Sequence, residues 1–182
     1  IKLHGYLHYW KEADSNLAVL EGHEPGTIAG EGSAFFMLSD RPDVHEVAAV
    51  TDVRIFFTPD GIDAAAVDKE ISGFLETHGL TFADIGVFLT GINGDGPNDR
   101  IYHDLMSLHA GEPAGVALYK HLCGAYYTAS AFGMWLASVM LESQQIPAPV
   151  CLKPAGNNIR HVLMYNHHRN TEQALILLSY GI

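Results

Sequence analysis

Cations are scarce in this chain: ten Lys and Arg stand against 21 Asp and Glu, for a formal net charge of −11. A nucleic-acid groove needs clustered cations to displace counterions from phosphates, so this balance argues against nucleic acid and equally against an anionic membrane surface. Cysteine is rarer still. Cys123 and Cys151 are too few for a disulfide framework, and the charged run WKEAD follows too early for a secretory leader, so a reducing, cytoplasmic setting is expected. The longest apolar run, Ala125 to Leu141, only touches the lower limit for a membrane span. It contains Thr128, Ser130, Gly133 and Ser138 and lacks cationic flanks, which reads as a core helix. Metal-ligand grammar is missing too: eleven histidines are present, but no HExxH and no paired CxxC. They read as structural and surface residues. There is no low-complexity segment and no repeat, and the opening at Ile1, without methionine, suggests a trimmed or excised piece of a longer chain.

What is present is a globular composition, 48% hydrophobic over 182 residues, enough for one sizeable core in one domain or two small halves. Residues 1–30 read as mostly irregular and rich in turn residues. SAFFMLSD and VAAVTDVRIFFTPD are apolar runs separated by RPDVHE, which predicts an antiparallel hairpin. From Pro59 the elements alternate. GIDAAAVDKEISGFLETHG has helical spacing and stops at Gly79; DIGVFLTGI is a buried-type strand; NDRIYHDLMSLHAG is a helix with Asn98 or Asp99 as N-cap. GVALYK is the next strand, and after an HLCG turn the apolar helix runs to about Gln145. NIRHVLMYNHH and QALILLSYGI close the chain as a second hairpin. This order predicts an α/β sheet with helices layered against it.

Lys120, at the carboxyl end of the GVALYK strand and the mouth of the core helix, is the first candidate for chemistry. There a lysine can orient an acidic group or work with a lowered pKa; it can also be a solvated strand end. Asn93, Asp95, Asn98 and Asp99 form a polar loop at the carboxyl end of the LTGI strand, where open α/β sheets place ligand crevices, though any tight strand-to-helix turn needs the same composition. NGDG lacks the phosphate-loop spacing. Cys123 reads either as a thiol activated by its neighbours Lys120 and His121 or as a small buried hydrophobe.

Three fragments in one order carry a resemblance. GEGSAFFMLSD resembles the GEGAGxxVLE strand of β-ketoacyl-acyl-carrier-protein synthases, members of the thiolase-like superfamily; NGDGPNDRIY resembles the end of their HGTxTxxND loop; KHLCGAYYTASAFGMWLA resembles their KxxxGHxxGAAG turn and helix. NNIRHVLMYNHH and QALILLS stand where that family has NxFGFGGxN and its last strand. The resemblance runs from about Gly30 to Ile182. It implies the C-terminal half of a thiolase-like fold, a layered α-β-α with a mixed sheet of about five strands around a buried helix. Residues 1–58 would then be a remnant of the N-terminal half and 59–182 the C-terminal half.

The implied chemistry is decarboxylative condensation, in which the enolate of malonyl carrier protein attacks an acyl group on a cysteine, with two histidines assisting and a lysine positioning one of them. It needs no cofactor and no metal, and its partners are an acyl carrier protein and a second synthase subunit in a homodimer or heterodimer. Neither Cys123 nor Cys151 matches the nucleophile. Lys120 and Gly124 match the family's lysine and glycine, but Ala125 takes the place of the following histidine and cannot donate a hydrogen bond from its side chain. A short deletion puts Asn93 near the first histidine, and Asp95, Asn98 and Asn158 are the candidate substrate contacts. Ile159 to Tyr165 has no glycine where the family has FGFGG. The expectation is therefore a non-condensing, chain-length-factor-like relative. The alternatives are an active synthase with re-sited groups and an unrelated α/β binding domain.

Overall fold

In the computed structural model, residues 10, 11, 15–40, 48–156 and 158–181 are described. Helix α2 (Ala64–Glu76) begins where its N-cap, Asp63, accepts a hydrogen bond from Ala66 N at 2.8 Å. It ends in a turn to Gly79, whose φ of 68° suits a residue without a Cβ. Two short helices are α1 (Ala18–Glu21) and α4 (Lys120–Cys123), and the longer ones are α3 (Gly96–Leu108) and α5 (Ala129–Ser143). The strands are β1 (Ala48–Phe57), β2 (Val87–Thr90), β3 (Gly115–Leu118), β4 (Cys151–Lys153), β5 (His161–His168) and β6 (Glu172–Tyr180).

They form one six-stranded mixed sheet in the order β1-β6-β5-β2-β3-β4. Strand β2 runs parallel to both β3 and β5, while β6 is antiparallel to its neighbours β5 and β1. All four residues of β2 and of β3 are buried, as expected of central strands covered on both faces. Alternation sorts side chains between two cores. Phe88, Leu163, Tyr165, Leu175 and Leu177 pack under α2 and α3; Val87, Leu89, Val162, Met164, Ile176 and Leu178 pack under α5. The result is three layers, α-β-α. At the end of α5, Gln144 adopts φ 55° and its amide binds both the N–H and the carbonyl of Ile159, which ties the helix to the approach of β5. Among the described residues no helix is long and apolar enough to cross a membrane.

The mixed sheet is as expected, with six strands against the expected five or so, because the short β4 and the long β1 both join it. Three other expectations are corrected. Ser33 to Ser39 form no strand, and β1 pairs with β6 instead of with that segment. Phe35, Met37 and Leu38 are almost fully exposed, so neither burial nor a sheet partner stabilises the extended backbone there. The RPDVHE turn lies outside the described residues. Helix α3 starts earlier than expected, with Asp95 as N-cap: its carbonyl accepts from Asn98 N and Asp99 N at 2.9 and 2.7 Å, and Pro97, which has no N–H, occupies the first turn. The core helix likewise begins at Ala129, four residues after Ala125, and leaves Trp135 about half exposed.

Candidate functional site

Because β2, β3 and β5 are parallel, the segments that follow them converge at one edge of the sheet. Residues 91–99 after β2, 119–125 after β3 and 166–170 at the end of β5 enclose a cavity of about 380 Å³. Its walls are apolar at Trp10, Ile55, Tyr126, Tyr127 and Ala129, and its polar end carries Lys120, Asp99 and Asn166.

Lys120 is buried at the start of α4, and burial lowers its pKa to about 8 against the pull of Asp99. Asp99 is also buried. Burial raises its pKa to about 7, opposed by hydrogen bonds from Asn93 N and Gly94 N and by the charge of Lys120. Each charge opposes the shift that burial imposes on the other. Gly91 lies between these groups: a Cβ there would overlap Asn166 Oδ1 and the Tyr102 hydroxyl and stand 3.2 Å from Lys120 Nζ. Tyr102 cannot simply move aside, because its hydroxyl accepts a hydrogen bond from His167 N at 3.1 Å and its ring stacks on the His167 ring, 4.7 Å between centroids. Asn166 Oδ1 and Asp95 Oδ1 are buried without a partner in the protein.

His167 closes the site from below. Its Nδ1 accepts from Asn170 N at 3.1 Å, so the proton sits on Nε2 and is donated to the Asn98 carbonyl at 3.0 Å. Burial, with Lys120 adding to it, depresses its pKa to about 3, so the imidazole is a neutral clamp between the β5 end and the first turn of α3. The segment after α4 is held by docking against residues 27–30. Ala29 bridges Ala125, Ala125 N donates to Ile28 O at 3.0 Å and Gly30 N donates to Ala125 O at 3.2 Å. Gly124, at φ 72°, permits the close approach of Gly30. In addition, Thr27 Oγ1 donates to Asn93 O at 2.5 Å, and Lys11 donates to Gly94 O.

Of the sequence-predicted residues, Lys120, Asn93, Ala125, Asp95 and Asn98 line the cavity. Asn93, however, does not face Lys120: its side chain accepts from Asp95 N at 3.1 Å within its own loop. Gly91 faces Lys120. Counting back from Asn98-Asp99 through HGTxTxxND without a deletion reaches residue 91. Asn158 lies away from the cavity. It sits before β5, at the opposite end of that strand from the cavity, exposed and with φ 74°. Asn166 and His167, at the far end of β5, are the residues that the sequence reading missed. Cys123 does not line the cavity, and burial pushes its thiol pKa up, away from a reactive thiolate. Among the described residues no group of His, Cys, Asp and Glu is arranged to hold a metal ion.

No protein-family model and no curated protein sequence matches the chain. Among solved structures, the PfaC ketosynthase–chain length factor superposes with a TM-score of 0.64 at 19% identity, over 96% of this chain and 17% of that one. The oxazolomycin ketosynthase domain of Streptomyces albus JA3453 superposes with a TM-score of 0.57 at 16% identity, over 74% of this chain and 45% of that one. A ketosynthase in complex with its type II polyketide acyl carrier protein reaches only 0.48 at 15% identity, over 74% of this chain and 34% of that one, too loose a likeness to carry an argument. The chain therefore shares its fold with these ketosynthase structures, and it spans less than half the length of either.

Proposed function

We propose that this chain is the C-terminal portion of a 3-oxoacyl-acyl-carrier-protein synthase-like protein of fatty acid or polyketide-type biosynthesis, one that holds or measures an acyl chain without condensing it. Gly91 carries this reading. Opposite the lysine, at the position where the resemblance calls for the first histidine, there is no side chain, and the space is taken by Asn166 and the Tyr102 hydroxyl. Ala125 supplies no imidazole at the second position, and His167 is committed at both nitrogens. Lys120 and Asp99 keep the charged end of the site, while the groups that would move protons to and from an enolate are lost. An acyl carrier protein and a condensing synthase subunit are the partners that this role requires.

A second reading, an active synthase with re-sited groups, is favoured by His168, which lines the cavity at the end of β5. The two are separated by the full-length protein, its carrier protein and radiolabelled acyl and malonyl groups. The expected outcome is no acyl transfer to the protein and no malonyl decarboxylation by it, alone or as the 182-residue chain. Turnover that disappears in His168→Ala would establish the second reading instead.

A further inference from the structure

The polar end of the cavity holds a primary amine that is equipped for more than positioning. Lys120 Nζ is buried at that end and takes part in none of the ion pairs formed among the described residues. Asp99, a carboxyl group that can give and take a proton near neutrality, is its charged neighbour. Asn166 Oδ1 and the Tyr102 hydroxyl fill the place over Gly91 where a Cβ would stand, and this brings both polar atoms beside Nζ.

We propose that Lys120 is a covalent carbonyl-binding residue, whose amine condenses reversibly with a ketone of a 1,3-dicarbonyl ligand held in the cavity. The neutral amine attacks the ketone carbon and the C=O pair moves to oxygen to give a carbinolamine. Asp99 carries one proton from the attacking nitrogen to that oxygen to give the carbinolamine hydroxyl. A second proton from the protonated carboxyl lets the hydroxyl leave as water while the nitrogen lone pair closes the C=N bond. The iminium nitrogen gives its proton back to Asp99, so that both amine protons end in the water; no oxidant or reductant takes part. Asn166 and Tyr102 offer polar contacts to the carbinolamine oxygen. The apolar walls at Trp10, Ile55, Tyr126 and Tyr127 suit the remainder of a ligand of this class. Burial supports the chemistry: with a pKa of about 8, a far larger fraction of Lys120 is neutral near pH 7.5 than of an ordinary lysine.

The test uses 2,4-pentanedione as the probe, whose lysine adduct is a conjugated enaminone located by its near-ultraviolet absorbance and by peptide mapping with mass spectrometry. Lys120 of the wild-type chain should be modified roughly tenfold or more faster than Lys69 or Lys153, as expected of a desolvated lysine. Lys120→Arg should show no adduct at that position, and Asp99→Asn should slow the adduct without redirecting it. Labelling of Lys120 no faster than of Lys69 and Lys153 overturns the proposal, as does an adduct found only at other lysines. The assay needs neither carrier protein nor a partner subunit, so its failure and that of the non-condensing role are told apart.

Discussion

At the scale of single residues, Asp99 and Lys120 make stability depend on pH in opposite senses. The Asp99 carboxyl is raised from 3.8 to about 7, so between those values the folded chain holds a proton that the unfolded chain has released. Stability therefore falls as pH rises through that window, by at most about 1.4 kcal/mol per pH unit, and the full penalty applies above it. Lys120 is lowered from 10.5 to about 8; its penalty is full below 8 and is relieved as pH rises towards 10.5. The pair thus contributes least near pH 7–8. Urea unfolding from pH 4.5 to 7.5 should show wild-type stability declining relative to Asp99→Asn, in which this slope is absent. Equal slopes in the two proteins would remove Asp99 as the group responsible. The residue scale is also where the sequence was least legible. Gly91 and Asn166 shape the polar end of the cavity through the space one leaves and the other fills, and neither signal exists before the packing is known. The turn at the end of β5 is built on positive φ at Arg169 and Asn170, not on glycine, so it carried no punctuation that would have moved attention from Asn158 to Asn166.

Elements were read more securely where local chemistry and packing agree. Asp63 and Gly79 bracket α2, and the apolar runs of β5 and β6 do form a hairpin, because their alternating side chains fill the two cores. Ser33–Asp40 shows the limit: its composition is that of a strand, but a strand also needs an edge, and the sequence of the segment does not contain that information. The segment just before it docks through a few hydrogen bonds that require one close approach. A Cβ on Gly30 would stand 1.9 Å from Cys123 O and 2.6 Å from Gly124 Cα, backbone atoms that cannot turn away. Gly30→Ala should therefore part the Ala29–Ala125 bridge and release residues 27–30 from the site while the sheet, which they do not enter, stays folded. Limited proteolysis should cleave this variant several-fold faster between residues 15 and 40, with little change in Tm. A large loss of Tm would mean that the docked segment is part of the cooperative core.

Over the whole molecule, the sheet is covered unequally. Helices α2 and α3 close one face, and Phe56 joins their core, but α5 covers only part of the other. Beyond it, Val53, Ile55 and Phe57 project from β1 to the α5 side, with Ile55 77% and Phe57 67% exposed; Tyr127 is 82% exposed beside the cavity. Full burial of side chains such as Ile or Phe is worth roughly 1.5–3 kcal/mol each, so this uncovered area is a strong incentive to associate in a protein whose charge of −11 otherwise keeps copies apart. The 182-residue chain should accordingly bind a hydrophobic dye in its native state and show concentration-dependent association by sedimentation, more strongly at high salt, where repulsion between copies is screened. The double variant Ile55→Lys, Phe57→Lys should lose most of both effects while keeping cooperative unfolding, since neither side chain belongs to either core. Unchanged dye binding in that variant would put the sticky surface elsewhere, on the exposed Phe35 to Leu38 stretch, and a monomer at all concentrations would mean that charge repulsion outweighs the apolar area on β1.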